Sequence, residues 1–71
     1  MTPNSTLKLN IGYGLVFVKC AGDGSSLLYL VYNRTVKKID GGTDNSVTIS
    51  KPSEYEMTII ALKTLRVIIL G

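Results

Sequence analysis

The chain has no histidine and a single cysteine, Cys20, among its 71 residues. Without histidine, the commonest general base and the commonest transition-metal ligand are both missing. One cysteine allows no intrachain disulfide. Charge is scarce too: Asp, Glu, Lys and Arg make up 18% of the chain, against about 25% in an average soluble domain. The apolar tract at residues 55–70 is broken by Glu56, Lys63 and Arg66 and is too short for a spanning helix of about 20 residues. Residues 1–10 are polar and hold no apolar signal core. No membrane span and no targeting segment is expected, which leaves the localisation open. Asn4-Ser5-Thr6 and Asn33-Arg34-Thr35 match a glycosylation acceptor pattern, but that modification needs a secretory route.

These absences bear on how so short a chain can be stable. A single domain of this length has a radius of gyration of about 11 Å, room for one thin core. Folds of this size draw support from disulfides, a bound metal or oligomerisation. The first is excluded and the second lacks its usual ligand, so oligomerisation remains. Apolar residues nevertheless make up 45% of the chain. A small domain has much surface for its volume and should be rich in charge. Some of its apolar surface is therefore expected to meet another surface. The net charge of +3 permits weak attraction to nucleic acid but does not argue for it.

The local pattern is that of strands. Residues 1–5 form a polar, flexible lead, and residues 6–71 form a single β domain. Residues 6–11 alternate, with Leu7, Leu9 and Ile11 opposite Lys8 and Asn10. Gly12-Tyr13-Gly14 marks a bend or bulge. A second strand spans residues 15–20. Gly22-Asp23-Gly24 offers the positive backbone angle of a tight hairpin, and a third strand spans 27–32. Residues 33–39 continue it past a bend or form a fourth. Residues 40–45 are the clearest loop. Val47 and Ile49 face inward from the next strand, which Lys51-Pro52-Ser53 ends. Residues 55–62 fit two descriptions. As a strand they alternate; as a helix Ser53 is an N-cap and Glu56 completes a capping box. The β-branched run Thr58-Ile59-Ile60 favours the strand. The fold class is therefore all-β, a small single-domain sandwich or barrel of six to seven short strands, with a single helix near 53–63 as the alternative.

Residues 15–20, 27–32 and Leu65–Leu70 are apolar on both faces. A strand buried on both faces lies in the middle of a layered fold, whereas a small sandwich buries only its inner face. The surplus faces predict a symmetric homo-oligomer, with Leu65, Val67, Ile68, Ile69 and Leu70 as its interface; the alternative is that Gly12 and Gly24 bend the strands, so that loops and termini fold over the outer face. Arg66, the only polar side chain of that strand, either snorkels to a rim or meets Glu54 or Glu56.

Signs of catalysis are few. Cys20 has no histidine to activate it and suits a buried packing role. Glu54 and Glu56 would share one strand face, where a two-carboxylate mechanism needs a cleft between them. Asp40, Asp44 and Asn45 lack the spacing of an EF-hand. Gly22-Asp23-Gly24-Ser25-Ser26 lacks the lysine of a phosphate loop. No enzyme activity, cofactor or metal is expected. A nucleic-acid-binding barrel is the alternative class, with Tyr32, Arg34, Lys37 and Lys38 as its contacts. Tyr29 and Tyr32 point to opposite faces of a regular strand, which denies them a shared stacking platform.

Residues 46–50, Lys51-Pro52-Ser53, residues 55–61 and Leu65–Leu70 together resemble small β-modules of bacteriophage virions, of the head-fibre, decoration or tail-fibre type. The likeness lies in short Thr/Ile/Val-rich strands and Gly/Asp/Asn turns, over about the last third of the chain. It implies a trimeric or other symmetric structural role without catalysis. Other virion proteins or host proteins are further candidate partners. A small phage-encoded inhibitor of a host protein is a further alternative.

Overall fold

Period-two alternation runs through most of the chain, and it builds strands wherever β-branched and aromatic residues carry it. The computed structural model describes residues 1–22, 24–42 and 46–71, and among them seven strands and no helix. The strands are β1 (Thr6–Leu9), β2 (Tyr13–Cys20), β3 (Ser26–Tyr32), β4 (Thr35–Gly41), β5 (Val47–Ser53), β6 (Glu56–Ala61) and β7 (Leu65–Leu70). Asp23, of the anticipated hairpin turn, and Thr43, Asp44 and Asn45, of the anticipated loop, lie outside the described residues.

Two antiparallel sheets form a sandwich, one of three strands in the order β1-β6-β5 and one of four in the order β4-β3-β2-β7. The chain changes sheets after β1, after β4 and after β6. The Cα radius of gyration is 11.1 Å. Val16 and Val18 of β2, Leu27 and Val31 of β3, and Met57 and Ile59 of β6 form the centre of the core. Cys20 is buried and free. Residues 1–5 run along β6 and β7. Asn4 N–H donates to Ala61 O, Ala61 N–H to Ser5 O, and Met1 and Leu65 exchange hydrogen bonds of 2.7 and 3.0 Å.

The helix offered as the alternative for residues 53–63 does not form. Ser53 and Glu56 instead close the β5–β6 hairpin as a cross-strand pair. The Ser53 hydroxyl donates to the Glu56 carboxylate at 3.0 Å and accepts the Tyr55 N–H at 3.3 Å. The residues that would have capped a helix close a turn instead.

Gly14 has a specific reason to be glycine. A Cβ there would lie 2.4 Å from Leu70 O and 2.9 Å from the Gly71 Cα. Backbone cannot swing aside as a side chain can, so β2 and the end of β7 meet this closely only without a side chain at Gly14.

Lys51 does not simply end β5. Its side chain is buried, and its ammonium donates to Ile11 O, to Gly12 O at 3.0 Å and to Glu54 O at 3.3 Å. It thereby ties the β1–β2 connection to the β5–β6 hairpin. Lys51→Met keeps the apolar stem and removes these donors. It is expected to cost about 2 kcal/mol, a fall in Tm of roughly 8–16 °C for a domain of this size, read by thermal circular dichroism.

Candidate interaction surface

Each sheet has an outward face, and the two faces differ in chemistry. On the three-stranded sheet, Lys8, Thr58 and Ser50 line up across β1, β6 and β5, and Thr6, Ile60 and Thr48 form the next row. Those two rows are polar except for Ile60, and they suit water.

The four-stranded sheet is the reverse. Its inward residues are Val16, Val18 and Cys20 on β2 and Leu27, Tyr29 and Val31 on β3, all buried. Alternation then sends the other half of each strand outward. Leu70, Leu15 and Leu30 form one outward row across β7, β2 and β3, ending at Lys37 of β4. Ile68, Phe17 and Leu28 form the next, ending at Asp40. Tyr13 lies directly across from Tyr32 at one end, and Lys19 across from Arg66 at the other. The three strands with two apolar faces are thus neighbours in one sheet, and their surplus faces merge into one patch.

The anticipated interface residues divide between the two faces. Leu65 is 2% exposed and belongs to the core, so it offers no contact surface. Its place is fixed by parity: Leu65, Val67 and Ile69 point inward, and the latter two pack half-buried against the core. Ile68 and Leu70 point outward and are 53% and 64% exposed. Arg66 does not meet Glu54 or Glu56, because the β5–β6 hairpin belongs to the other sheet. Arg66 is exposed beside Lys19, two like charges at one end of the patch.

The proposed nucleic-acid contacts divide as well. Tyr32 and Lys37 lie on the outward face, and Arg34 sits in the β3–β4 turn behind Asn33, whose φ is 50°. Lys38 pairs with inward-facing Tyr29, lines the gap between the sheets with Val36 and Ile49, and donates to Gly42 O. It is therefore not part of an outward basic cluster. The aromatic neighbour of Tyr32 is Tyr13 rather than Tyr29. The Gly12-Tyr13-Gly14 interruption hid this pairing, since it gave Tyr13 no strand of its own. Its parity with Leu15 and Phe17 could have placed it.

No group of three or more His, Cys, Asp or Glu side chains converges among the described residues. Asp40 is exposed, and its carboxylate accepts the Gly41 N–H at 2.8 Å. No helix among the described residues is long and apolar enough to cross a membrane. No protein-family model, curated protein or solved structure matches the chain.

Proposed function

We propose that this protein is a non-enzymatic interaction module that self-assembles into a symmetric homo-oligomer through the outward face of its four-stranded sheet. The setting is the one its resemblance to bacteriophage virion modules implies, a structural part of a particle. One observation carries the reading: the polar outward face of one sheet against the apolar outward face of the other. Water suits the first. The second presents Leu, Ile, Phe and Tyr as one continuous surface, of the kind that marks an interaction site in a soluble protein. Its middle rows are mainly aliphatic, which favours a protein surface over nucleic acid, since bases need aromatic faces to stack on.

Sedimentation velocity at low micromolar concentration tests this. A defined oligomer is expected. Leu30→Lys, at the centre of the face and two strands from β7, should weaken assembly at least tenfold while circular dichroism stays unchanged. A wild-type monomer at tens of micromolar overturns the reading.

The Tyr13–Tyr32 pair beside Arg34 and Lys37 favours a second reading, a single-stranded nucleic acid lying across that end of the sheet. A monomer that binds labelled oligonucleotide, and loses it as salt is raised, would establish that reading in place of the first.

A further inference from the structure

A sheet has edges as well as faces, and the four edges of this sandwich are not alike. Three carry devices that discourage another strand from pairing. β1 is four residues long. β5 carries Pro52, the inward-pointing Lys51 and a break in register between Ser50 and Ser53. β4 carries Lys37 and Lys38, and a bulge at Ile39 interrupts its pairing with β3. β7 has none of these. It is six residues long, regular against β2 from end to end, free of proline, and charged only at Arg66.

The hydrogen-bond parity of β7 shows which groups its edge presents. Leu65 exchanges both of its main-chain hydrogen bonds with Met1, on the side away from β2. Main-chain groups in an antiparallel strand alternate sides. Arg66, Ile68 and Leu70 therefore bond β2, while Val67 and Ile69 point to the open edge. Among the described residues, neither makes a main-chain hydrogen bond on that edge.

We infer that the β7 edge pairs with β7 of a second copy, antiparallel about a two-fold axis at Ile69. The inference rests on the self-assembly reading and supplies its geometry. In this register Ile69 faces Ile69 of the other copy, and Val67 faces Gly71. These are the positions whose N–H and C=O groups point outward. Ile68 falls opposite Leu70 in both directions, so apolar side chains meet on the outward face. Arg66 meets no other Arg66. Met1, held against Leu65, sets the limit: the incoming strand ends its pairing at Val67, short of the place Met1 fills.

Area supports the same arrangement. Four strands spaced about 4.8 Å apart and about six residues long give a face of roughly 400 Å² in flat footprint. A stable interface takes about 800 Å² from each partner. Joining two sheets at β7 makes one eight-stranded sheet with about twice the apolar face. Two such sheets stacked face to face would form a closed assembly with dihedral symmetry.

Disulfide trapping tests the register. Facing residues whose main-chain groups point away from each other have Cα atoms about 4.5 Å apart, within disulfide reach. Ile68→Cys and Leu70→Cys proteins, mixed in equal amounts under mild oxidation, are expected to form a covalent heterodimer. Arg66→Cys alone is expected to stay uncrosslinked, because its two copies sit roughly 20 Å apart along the paired strands. All three altered sites are exposed, so folding is preserved, and Cys20 is buried. A wild-type oligomer whose Ile68→Cys and Leu70→Cys mixture does not cross-link overturns edge pairing and leaves assembly through the face intact. So does Arg66→Cys cross-linking as well as the mixture. A wild-type monomer overturns both.

Discussion

Val67→Asp is expected to unfold or nearly unfold the protein, and Ile68→Asp, one residue along, to leave a folded monomer. Val67 points between the sheets and packs against the core. A carboxylate there loses part of its water, gains no partner and gives up the packing of the valine methyls, at a cost of about 3 kcal/mol. A chain of 71 residues at ordinary marginal stability has only about 4–10 kcal/mol in total. Tm should fall by roughly 12–24 °C or more. Ile68 is already more than half exposed on the outward face. Within one copy its replacement should cost no more than about 0.5 kcal/mol. In the assembly, the carboxylate that replaces Ile68 would face Leu70 of the other copy and put charge in the apolar patch. A loss of about 2 kcal/mol at such a position is roughly a thirtyfold weakening of association. Thermal melts and sedimentation, run on both variants, separate the two effects. Equal, small changes in both would remove the distinction between the faces of β7.

Ile59→Ala is expected to have the largest effect of any single truncation, about 2–5 kcal/mol. Ile59 is fully buried at the centre of β6, between Leu7 of β1 and Ile49 of β5. It thus joins all three strands of its sheet and faces the other sheet across the core. The cavity left by alanine closes only in part, since the surrounding strands are paired and hold their backbones in place. Chemical denaturation should show the midpoint falling sharply with little change in slope. Ile60→Ala, next in sequence, is the control. Ile60 is 36% exposed and lies between Thr6 and Thr48 on the polar face, so about 0.5 kcal/mol is expected.

Much of the fold is legible in the sequence because alternation is a local property. Leu7 and Leu9, Val47 and Ile49, and the β-branched Thr58-Ile59-Ile60 each identify a strand without reference to the rest of the chain. The helix alternative at residues 53–63 comes from Ser53 and Glu56, which serve equally well to cap a helix or to close a hairpin. The β5–β6 pairing chooses between them. Lys51 reads in sequence as a strand end because a lysine after a strand normally goes to solvent. Three main-chain carbonyls hold it inside instead. Two of them come from the distant β1–β2 connection, and nothing near Lys51 in sequence announces those two.

The candidate surface is legible in content but not in place. Residues 15–20, 27–32 and Leu65–Leu70 carry more apolar side chains than one inner face can take, and the sequence alone determined that. It also determined that Val67 and Ile68 must face opposite ways, because a strand's side chains alternate. It could not determine which of the two faces inward. Either parity is equally apolar, and parity is set by contact with the other sheet. Only the tertiary structure decided that Leu65, Val67 and Ile69 close the core, that β3, β2 and β7 lie side by side, and that Tyr13 joins Tyr32. The reason is physical: alternation is fixed by the geometry of one strand, whereas the choice of buried face and the order of strands are fixed by what packs against them.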